Sequence, residues 1–409
     1  MRAMSARRAV SALVLSAALA LTGCGLAGTQ NGDGAGRPIM IGTSLPLTGQ
    51  DSQTGVAVQR GYQVWERMVN ERGGILGRRV ELKILDDASN QNTVISDFNA
   101  LLGGYNVDFL IGTFSTRLTV PALSVAERGR KLYLDPAGAA PEIFDRRSPM
   151  YFYTEPAPSW NFGVAFARHV AGLPPAERPA SVAYVLTKDP FTSSTVTGMR
   201  TLLEQAGVRT ALSATYQFGE RNFDPIASQV KDSGAQLVVN AGGFEDETGF
   251  LRALLKAGAT PRLLYQSSSP VYPKEYPEAV GAANTEGVFY PAGYSPNLNS
   301  RDNAEFVQRF RSEFGTDPGR LSAGAYAAGQ VLAAALAAVG ARGIADQRAL
   351  ADWLHATSVE TVIGPLSWDA TGAPLSEFAI GQWQHGVPKV VLPARLATSD
   401  RILTCWRSC

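Results

Sequence analysis

A polar loop, Gly112 to Thr116, follows a short apolar run that begins at Phe109 and precedes a helical pattern. The first turn of a helix presents backbone N–H groups without intrahelical acceptors, together with a partial positive charge. Such a helix start suits a carboxylate or another small anion. Ser115 or Thr116 could instead cap the helix, and both roles are compatible because caps and anion sites share one geometry. The loop is therefore a candidate anion-binding element.

The sequence offers little for catalysis or for a metal. Its three histidines, His169, His355 and His385, are far apart, and no metal-binding His-x-x-x-His or Cys-x-x-Cys spacing occurs. The nucleophile motif G-x-S-x-G of hydrolases is absent, and the glycine-rich stretch Gly42 to Gly49 lacks the lysine of a phosphate-binding loop. We therefore expect a protein that is not an enzyme, with no cofactor and no metal.

The first residues indicate export. Arg2, Arg7 and Arg8 precede the apolar run Ala9 to Leu21, which is too short to span a bilayer and is typical of a signal peptide. Leu21-Thr22-Gly23-Cys24 resembles the lipobox of bacterial lipoproteins, which implies cleavage after residue 23 and a lipid on Cys24. We expect a signal peptide over 1–23, lipidation at Cys24 and a location on the outer face of the cell membrane or in the periplasm. The alternative is an ordinary secretory signal with a chance cysteine.

Residues 24–37 contain five glycines and form a predicted flexible tether.

The charge balance excludes polyanionic partners. Removing residues 1–23 takes three arginines from 37 basic residues and none of the 36 acidic ones, leaving a net charge of −2. This gives no field for nucleic acid or for an anionic membrane surface. The apolar stretch Ala325 to Val339 is interrupted by Gly329 and Gln330, and it is predicted to be a buried core helix.

From Pro38 onward, continuous apolar strands alternate with amphipathic helices, a pattern that predicts parallel sheets covered on both faces. The pattern runs to about residue 134 and restarts after Trp160. Strands are predicted at Ile39–Gly42, Val80–Leu85, Phe109–Gly112, Lys131–Leu134, Val182–Leu186, Ala211–Tyr216, Leu237–Asn240 and Leu263–Tyr265. Helices are predicted around Val58–Val69 and at Thr195–Ala206, Phe223–Lys231 and Thr248–Ala257. The chain is therefore expected to form two α/β units.

The last quarter has a different pattern. Helices are predicted at Asn303–Phe314, Ser322–Val339 and Gln347–Ala356, followed by short strands at Leu366–Trp368 and Ile380–Trp383. These strands are too few for a third sheet and are expected to complete the first two. Cys405 and Cys409 could form a local disulfide in an oxidising exterior or remain free thiols, and the sequence leaves both open.

Five segments follow one another along the chain: Ile41–Gly49, Asn70–Arg78, Asp86–Ala88, Pro136–Glu142 and Thr361–Asp369. In this order they resemble the branched-chain amino-acid (leucine-type) periplasmic solute-binding family of ABC importers. The resemblance implies an α/β fold of periplasmic binding protein type I, with two doubly wound parallel-sheet lobes. It also implies three hinge crossings, expected near Glu155, Tyr290 and Thr361. Lobe 1 is then 38–155 with 291–361, lobe 2 is 156–290 with 362–395, and 396–409 is a tail.

The resemblance also implies a ligand site between the lobes. Thr116, with Ser115 beside it, matches the position whose hydroxyl binds the ligand carboxylate. Backbone groups of Ala137, Gly138 and Ala139 match ligand contacts, although Ala139 replaces a threonine. Phe191 and Phe244 match aromatic positions that close over the ligand, and Thr54 and Leu321 match positions in the wall of the pocket. Leu321 fits an ordinary core role better.

Ser268 departs from the family pattern. It stands where the resemblance places a glutamate for the ligand ammonium, and Asp86, Asp87 and Glu245 do not obviously replace it. A buried ammonium without a counter-charge costs several kcal/mol. The sequence therefore predicts weak binding of plain leucine and tighter binding of a carboxylate or amide that lacks an α-amine.

Taken together, these features predict a monomeric substrate-binding lipoprotein that delivers amino acids or related small hydrophobic carboxylates and amides to an ABC permease of the branched-chain type. A sensor that presents ligand to a separate receptor is the main alternative. An enzyme and a structural cell-wall protein are the others, and the latter would have no cleft and no ligand.

Overall fold

A computed structural model describes residues 36–407 of the protein. The predicted signal peptide, the lipidation site Cys24, nearly all of the tether and Cys409 lie outside these residues. Cys405 is disulfide-bonded, so of the two alternatives left open by the sequence the free thiol does not hold for it.

Two sheets carry the fold. The first contains β1 (Ile39–Leu45), β2 (Val80–Asp86), β3 (Phe109–Ile111), β4 (Tyr133–Asp135) and β5 (Tyr151–Tyr153). These strands are all parallel, in the order β2-β1-β3-β4-β5. A parallel sheet of this kind must be covered on both faces, as the unbroken apolar runs of its strands predict.

The second sheet is larger and mixed. Its strands are β6 (Ser181–Thr187), β7 (Arg209–Tyr216), β8 (Leu237–Ala241), β9 (Leu263–Gln266), β10 (Phe289–Pro291), β13 (Ile380–Gln384) and β14 (Val387–Leu392). Strands β11 (Val359–Thr361) and β12 (Gly364–Leu366) form a separate hairpin. The order is β14-β13-β10-β9-β8-β6-β7, and β13 runs antiparallel to both of its neighbours, β10 and β14. The two predicted α/β units are confirmed, and the sheet has an antiparallel edge.

Thirteen α-helices cover the sheets within residues 36–407. They are α1 (Ser52–Glu71), α2 (Gln91–Gly103), α3 (Thr116–Arg128), α4 (Pro141–Phe144), α5 (Val164–Gly172), α6 (Pro190–Gln205), α7 (Asp224–Ser233), α8 (Phe244–Ala257), α9 (Glu275–Val280), α10 (Asn303–Phe314), α11 (Arg320–Val339), α12 (Arg342–Ala345) and α13 (Gln347–His355). In the first lobe α1 packs along α11 and α2 packs against α3, while in the second α5 packs against α6 and α7 against α8.

Alternation along the strands explains the two covered faces. In β6, Val182 and Tyr184 join the apolar cluster beneath α5 and α6, whereas Ala183 and Val185 join the cluster beneath α7 and α8. Successive side chains of a strand point to opposite faces, so each face receives its own apolar row.

Helix α11 is long and apolar enough to cross a membrane by length and composition. Most of its residues are buried, and it approaches α1 so closely that a Cβ on Gly61 would lie 2.2 Å from the carbonyl oxygen of Ser322. It is therefore a core helix of the first lobe, as predicted.

The third crossing differs from its predicted position near Thr361. The indole of Trp368 donates a 2.7 Å hydrogen bond to the carbonyl of Tyr153 and packs edge-on against Phe152 at 5.4 Å between ring centroids. The chain thus stays on the first lobe until about Pro374 and joins the second sheet only at Ile380. The segment after residue 361 that we assigned to lobe 2 belongs to lobe 1 up to this point, because Trp368 is buried against β5.

Candidate ligand-binding cleft

A cleft of about 440 Å³ lies beyond the carboxyl ends of strands from both sheets. Ligands of open α/β sheets bind at this edge, and the volume falls within the range of about 300–1,000 Å³ that is typical of small-molecule sites. Eight of the ten predicted site residues line it: Thr54, Ser115, Thr116, Ala137, Phe191, Phe244, Ser268 and Leu321. Gly138 and Ala139 are not among its lining residues.

The turn between β3 and α3 presents donors to the cleft. Ser115 adopts a left-handed backbone conformation, with φ of 68°, which starts α3 abruptly. Its side chain makes no capping hydrogen bond, and its buried Oγ has no partner in the described part of the chain. A simple capping role for Ser115 is therefore wrong, and its hydroxyl is available at the helix start.

Thr116 has a defined donor geometry. Its Oγ1 accepts hydrogen bonds from the backbone N–H groups of Ala139, at 3.3 Å, and Ala140, at 3.2 Å. A hydroxyl has two acceptor lone pairs and one donor hydrogen. With both lone pairs occupied, the remaining O–H of Thr116 can only donate, which suits an anionic ligand group.

These bonds also explain why Gly138 and Ala139 do not line the cleft. The N–H of Ala139 is used by Thr116, and the N–H of Gly138 donates to Asp135 at 3.0 Å. The carbonyl of Gly138 accepts from the Tyr151 hydroxyl at 2.7 Å. The loop therefore supports Thr116 from behind, and only Ala137 lines the cleft.

Ser268 lines the cleft, and its backbone N–H donates to the carboxylate of Glu247 on α8. Glu247 stands behind the loop, fully buried, and accepts hydrogen bonds from the backbone N–H groups of Ser267, Ser268 and Ser269 at 2.7 to 3.1 Å. Burial raises the pKa of the Glu247 carboxyl, while the hydrogen bonds from Ser269 and its neighbours lower it. This carboxylate organises the serine loop and is already saturated.

Acidic side chains that the sequence interpretation missed also line the cleft: Asp51, Glu142 and Asp189. Asp51 accepts a 2.7 Å hydrogen bond from Arg117, and both oxygens of Asp189 accept from Thr192. Burial, followed by the charge of Asp189, raises the pKa of Glu142. The cleft therefore contains acceptors for an amine, although two of the three carboxylates already have partners.

Three basic side chains, Arg117, Lys188 and Arg320, face the same space. The guanidinium of Arg117 lies 5.0 Å from the ring centroid of Phe218, a contact between the two lobes. Arg320 is the first residue of α11 and donates a 2.8 Å hydrogen bond to Glu155. Burial raises the pKa of Glu155 to about 7, and Arg320 opposes this shift.

Aromatic rings form the apolar wall. Phe191, in the first turn of α6, packs edge-on against Phe162 at 5.5 Å, and Phe244, which begins α8, packs edge-on against Tyr272 at 5.2 Å. Both predicted aromatic residues thus stand at helix starts of the second lobe. Leu321 lines the cleft and is also 97% buried in the core.

Sequence reasoning missed Arg320 because it precedes an apolar helix like any surface residue at a helix start. The one available signal was the positive charge of Arg320, because a cation at a helix N-terminus is disfavoured by the helix macrodipole. Across residues 36–407, no group of three or more His, Cys, Asp and Glu side chains could hold a metal ion.

Comparison with known proteins agrees with this geometry. A family model described as periplasmic binding protein matches residues 38–387. Leu/Ile/Val-binding protein homolog 1 of Brucella melitensis is 28% identical over 365 residues, which cover 87% of this chain and 93% of the relative.

Two solved structures share the fold. The substrate binding protein LivJ of Streptococcus pneumoniae, in complex with isoleucine, has a TM-score of 0.76 at 17% identity and covers 87% of this chain and 100% of its own. A solute binding protein of R. palustris, in complex with benzoate, has a TM-score of 0.76 at 20% identity, covering 90% and 99%. The chain therefore belongs to the periplasmic binding protein family and has its type I fold.

Proposed function

We propose that the protein is the extracytoplasmic substrate-binding lipoprotein of an ABC importer. It closes its two lobes on an amino acid or a related small hydrophobic carboxylate or amide. The observation that carries the proposal is the cleft, in which hydrogen-bond donors at the start of α3 face aromatic rings of the second lobe.

The start of α3 is the carboxylate end of the proposed site. Thr116 has only a donor left to offer, and the buried Ser115 hydroxyl has no hydrogen-bond partner among residues 36–407. The N–H groups of the first helical turn add their own donors and the positive end of the helix dipole. A carboxylate is the ligand group that satisfies all of these donors at once.

The aromatic wall selects the body of the ligand. Phe191 and Phe244 offer apolar surface on the opposite lobe, which favours a flat or branched apolar group. Isoleucine and benzoate, the molecules bound by the two solved relatives, both combine a carboxylate with an apolar body. The two ligands differ in the α-amine, which benzoate lacks.

The amine end is the weaker part of this site. Asp51 and Asp189 already accept hydrogen bonds from Arg117 and Thr192, and Glu247 is saturated by the serine loop. The raised pKa of Glu142 means that this carboxyl holds its proton to a higher pH than usual. We therefore propose that ligands without an α-amine bind more tightly than leucine, by about tenfold for one poorly satisfied polar group.

Native mass spectrometry of the purified protein, followed by calorimetry, tests the proposal. The calorimetric series is leucine, phenylalanine and their deaminated analogues 4-methylpentanoate and 3-phenylpropanoate. Binding of the deaminated acids, with a matching rise in melting temperature, is the expected result. Submicromolar leucine binding that disappears on deamination would refute the amine argument and assign the ammonium to Glu142 or Asp189. If no ligand co-purifies with the protein and none of the added compounds binds, the binding function is refuted.

A further inference from the structure

Arg320 is a buried cleft residue whose guanidinium is only partly satisfied. It is 7% exposed and lines the cleft. Its Nη1 donates to Oε2 of Glu155 at 2.8 Å, while its buried Nε has no hydrogen-bond partner in the described part of the chain. A guanidinium carries five N–H donors in a fixed fork, so Arg320 retains donor capacity beyond the ion pair.

The stability of helix α11 does not account for this arginine. It is the first residue of the 20-residue helix α11, where the helix dipole disfavours a cation. A buried ion pair is also weak evidence for stability, because the cost of desolvating both charges offsets their attraction. The guanidinium lies 5.2 and 5.7 Å from the ring centroids of Phe162 and Phe378, which hold it in place. A charged group held so firmly beside a ligand cleft indicates a role in recognition.

Arg320 and the start of α3 are separate anchor points in this cleft. Ser115 and Thr116 follow β3, whereas Glu155, the partner of Arg320, follows β5, with β4 between the two strands. Neighbouring strands lie about 4.8 Å apart, so the two strand ends are separated by about 10 Å. One ligand that reaches both anchors must be elongated and must carry a polar group at each end.

We propose that Arg320 binds an uncharged carbonyl oxygen, of an amide or ureido group, at the far end of an elongated carboxylate ligand. This inference rests on the proposed function. The carbonyl accepts from the guanidinium while Glu155 keeps its own hydrogen bond. A second carboxylate would share the one guanidinium with the buried carboxyl of Glu155, and two carboxyl groups that share a site oppose each other's ionisation. The substrate class is thus a monocarboxylate with a distal carbonyl.

The surroundings of Arg320 decide which variants are informative. The side chain contacts all three connections between the lobes: Glu155 in the first, Gly293 in the second and Phe378 in the third. A Cβ on Gly293 would lie only 2.6 Å from Cδ of Arg320. Truncating Arg320 would therefore disturb the hinge, whereas R320K keeps a positive charge beside Glu155 and removes the planar fork of donors.

The test is calorimetry on the full chain with matched probes. The aromatic series is benzoate, 4-carbamoylbenzoate and terephthalate, and the amino-acid pair is leucine and citrulline. In the wild-type protein we expect the distal carbonyl of 4-carbamoylbenzoate or citrulline to improve affinity by about ten- to a hundredfold over its partner probe, as for hydrogen bonds to charged donors. Terephthalate should bind no better than benzoate. R320K should remove the advantage and leave benzoate within about threefold, while R348K, an exposed control on α13, should change neither value.

Each outcome separates this inference from the proposed function. Equal affinities for the two members of each pair in the wild-type protein, or an advantage that survives in R320K, overturn the role of Arg320. Tenfold tighter binding of terephthalate overturns the uncharged carbonyl. If R320K does not fold, the wild-type comparison alone decides, because it needs no variant. If none of the five probes binds and native mass spectrometry finds no ligand, the proposed binding function fails and this inference falls with it.

Discussion

Replacing Thr116 by valine tests the geometry of the carboxylate end most directly. Valine keeps the shape of the side chain and removes the hydroxyl that accepts from the N–H groups of Ala139 and Ala140. Both alanines are fully buried, so neither N–H gains water as a substitute. An unsatisfied buried donor costs about 1–3 kcal/mol. Because the two bonds are long, at 3.3 and 3.2 Å, we expect T116V to lower the free energy of unfolding by about 2 kcal/mol in total.

The same substitution should weaken ligand binding independently. The lost O–H is a donor to the ligand carboxylate, and a hydrogen bond to a charged acceptor is worth about 1.5–3 kcal/mol. Affinity for a carboxylate ligand should therefore fall by about ten- to a hundredfold. Urea unfolding measures the first effect and calorimetry with 4-methylpentanoate measures the second, with T116S as the matched control that retains the hydroxyl.

The two measurements refute different parts of the reasoning. If T116V unfolds at the urea concentration of T116S, the hydroxyl does not hold the loop of Ala139 and Ala140. If T116V is destabilised and still binds 4-methylpentanoate as tightly as the wild-type protein, the ligand carboxylate does not lie at Thr116. A loss of both properties in T116S as well would mean that the hydroxyl alone does not account for them, because serine retains it.

Three further results are expected. C24A should abolish lipidation and release the protein from membranes, and a variant that still sediments with membranes after a salt wash would contradict the anchor. Saturating ligand should reduce the radius of gyration in X-ray scattering, because hinged lobes close on ligand, and an unchanged radius would count against a clamp. Burial raises the pKa of Asp87, Glu155 and Asp246 to about 7 each, so the folded state holds protons that the unfolded chain has released. The free energy of unfolding should thus be highest near pH 4 and fall as the pH rises to about 7. D246N should flatten this slope and the exposed control D232N should not, whereas a stability that rises across the window would be the opposite of the expected sign.

Elements with a strong local pattern could be predicted from the sequence. Helix α10 has the predicted bounds, Asn303–Phe314, because Phe306 and Phe310 recur at helical spacing and Gly315 ends the helix in a left-handed conformation. Helix α6 begins five residues earlier than predicted, at Pro190. The carboxylate of Asp189 caps it, and proline is well suited to the first helical position.

The pairing of distant residues could not be predicted in the same way. Glu155 and Arg320 are separated by 165 residues, and nothing local to either shows that the other will neutralise it. The strand pattern around Trp368 likewise shows that the residue is buried, but not that it is buried against β5. Gly138 and Ala139 are near the ligand cleft in sequence terms, yet the direction of their N–H groups depends on Thr116, which lies on a different loop.

The close packing of α1 against α11 has a consequence for the order of folding. About 250 residues separate the end of α1 from the start of α11, and buried residues of α1 such as Trp65 pack on Gly329 of α11. Until the last third of the chain has been synthesised, the apolar face of α1 has no helix α11 to pack against. Contacts of such high sequence separation slow folding and leave aggregation-prone intermediates. We therefore expect the first lobe to complete its folding only after α11 has been synthesised, and an early truncation should aggregate instead of yielding a free first lobe.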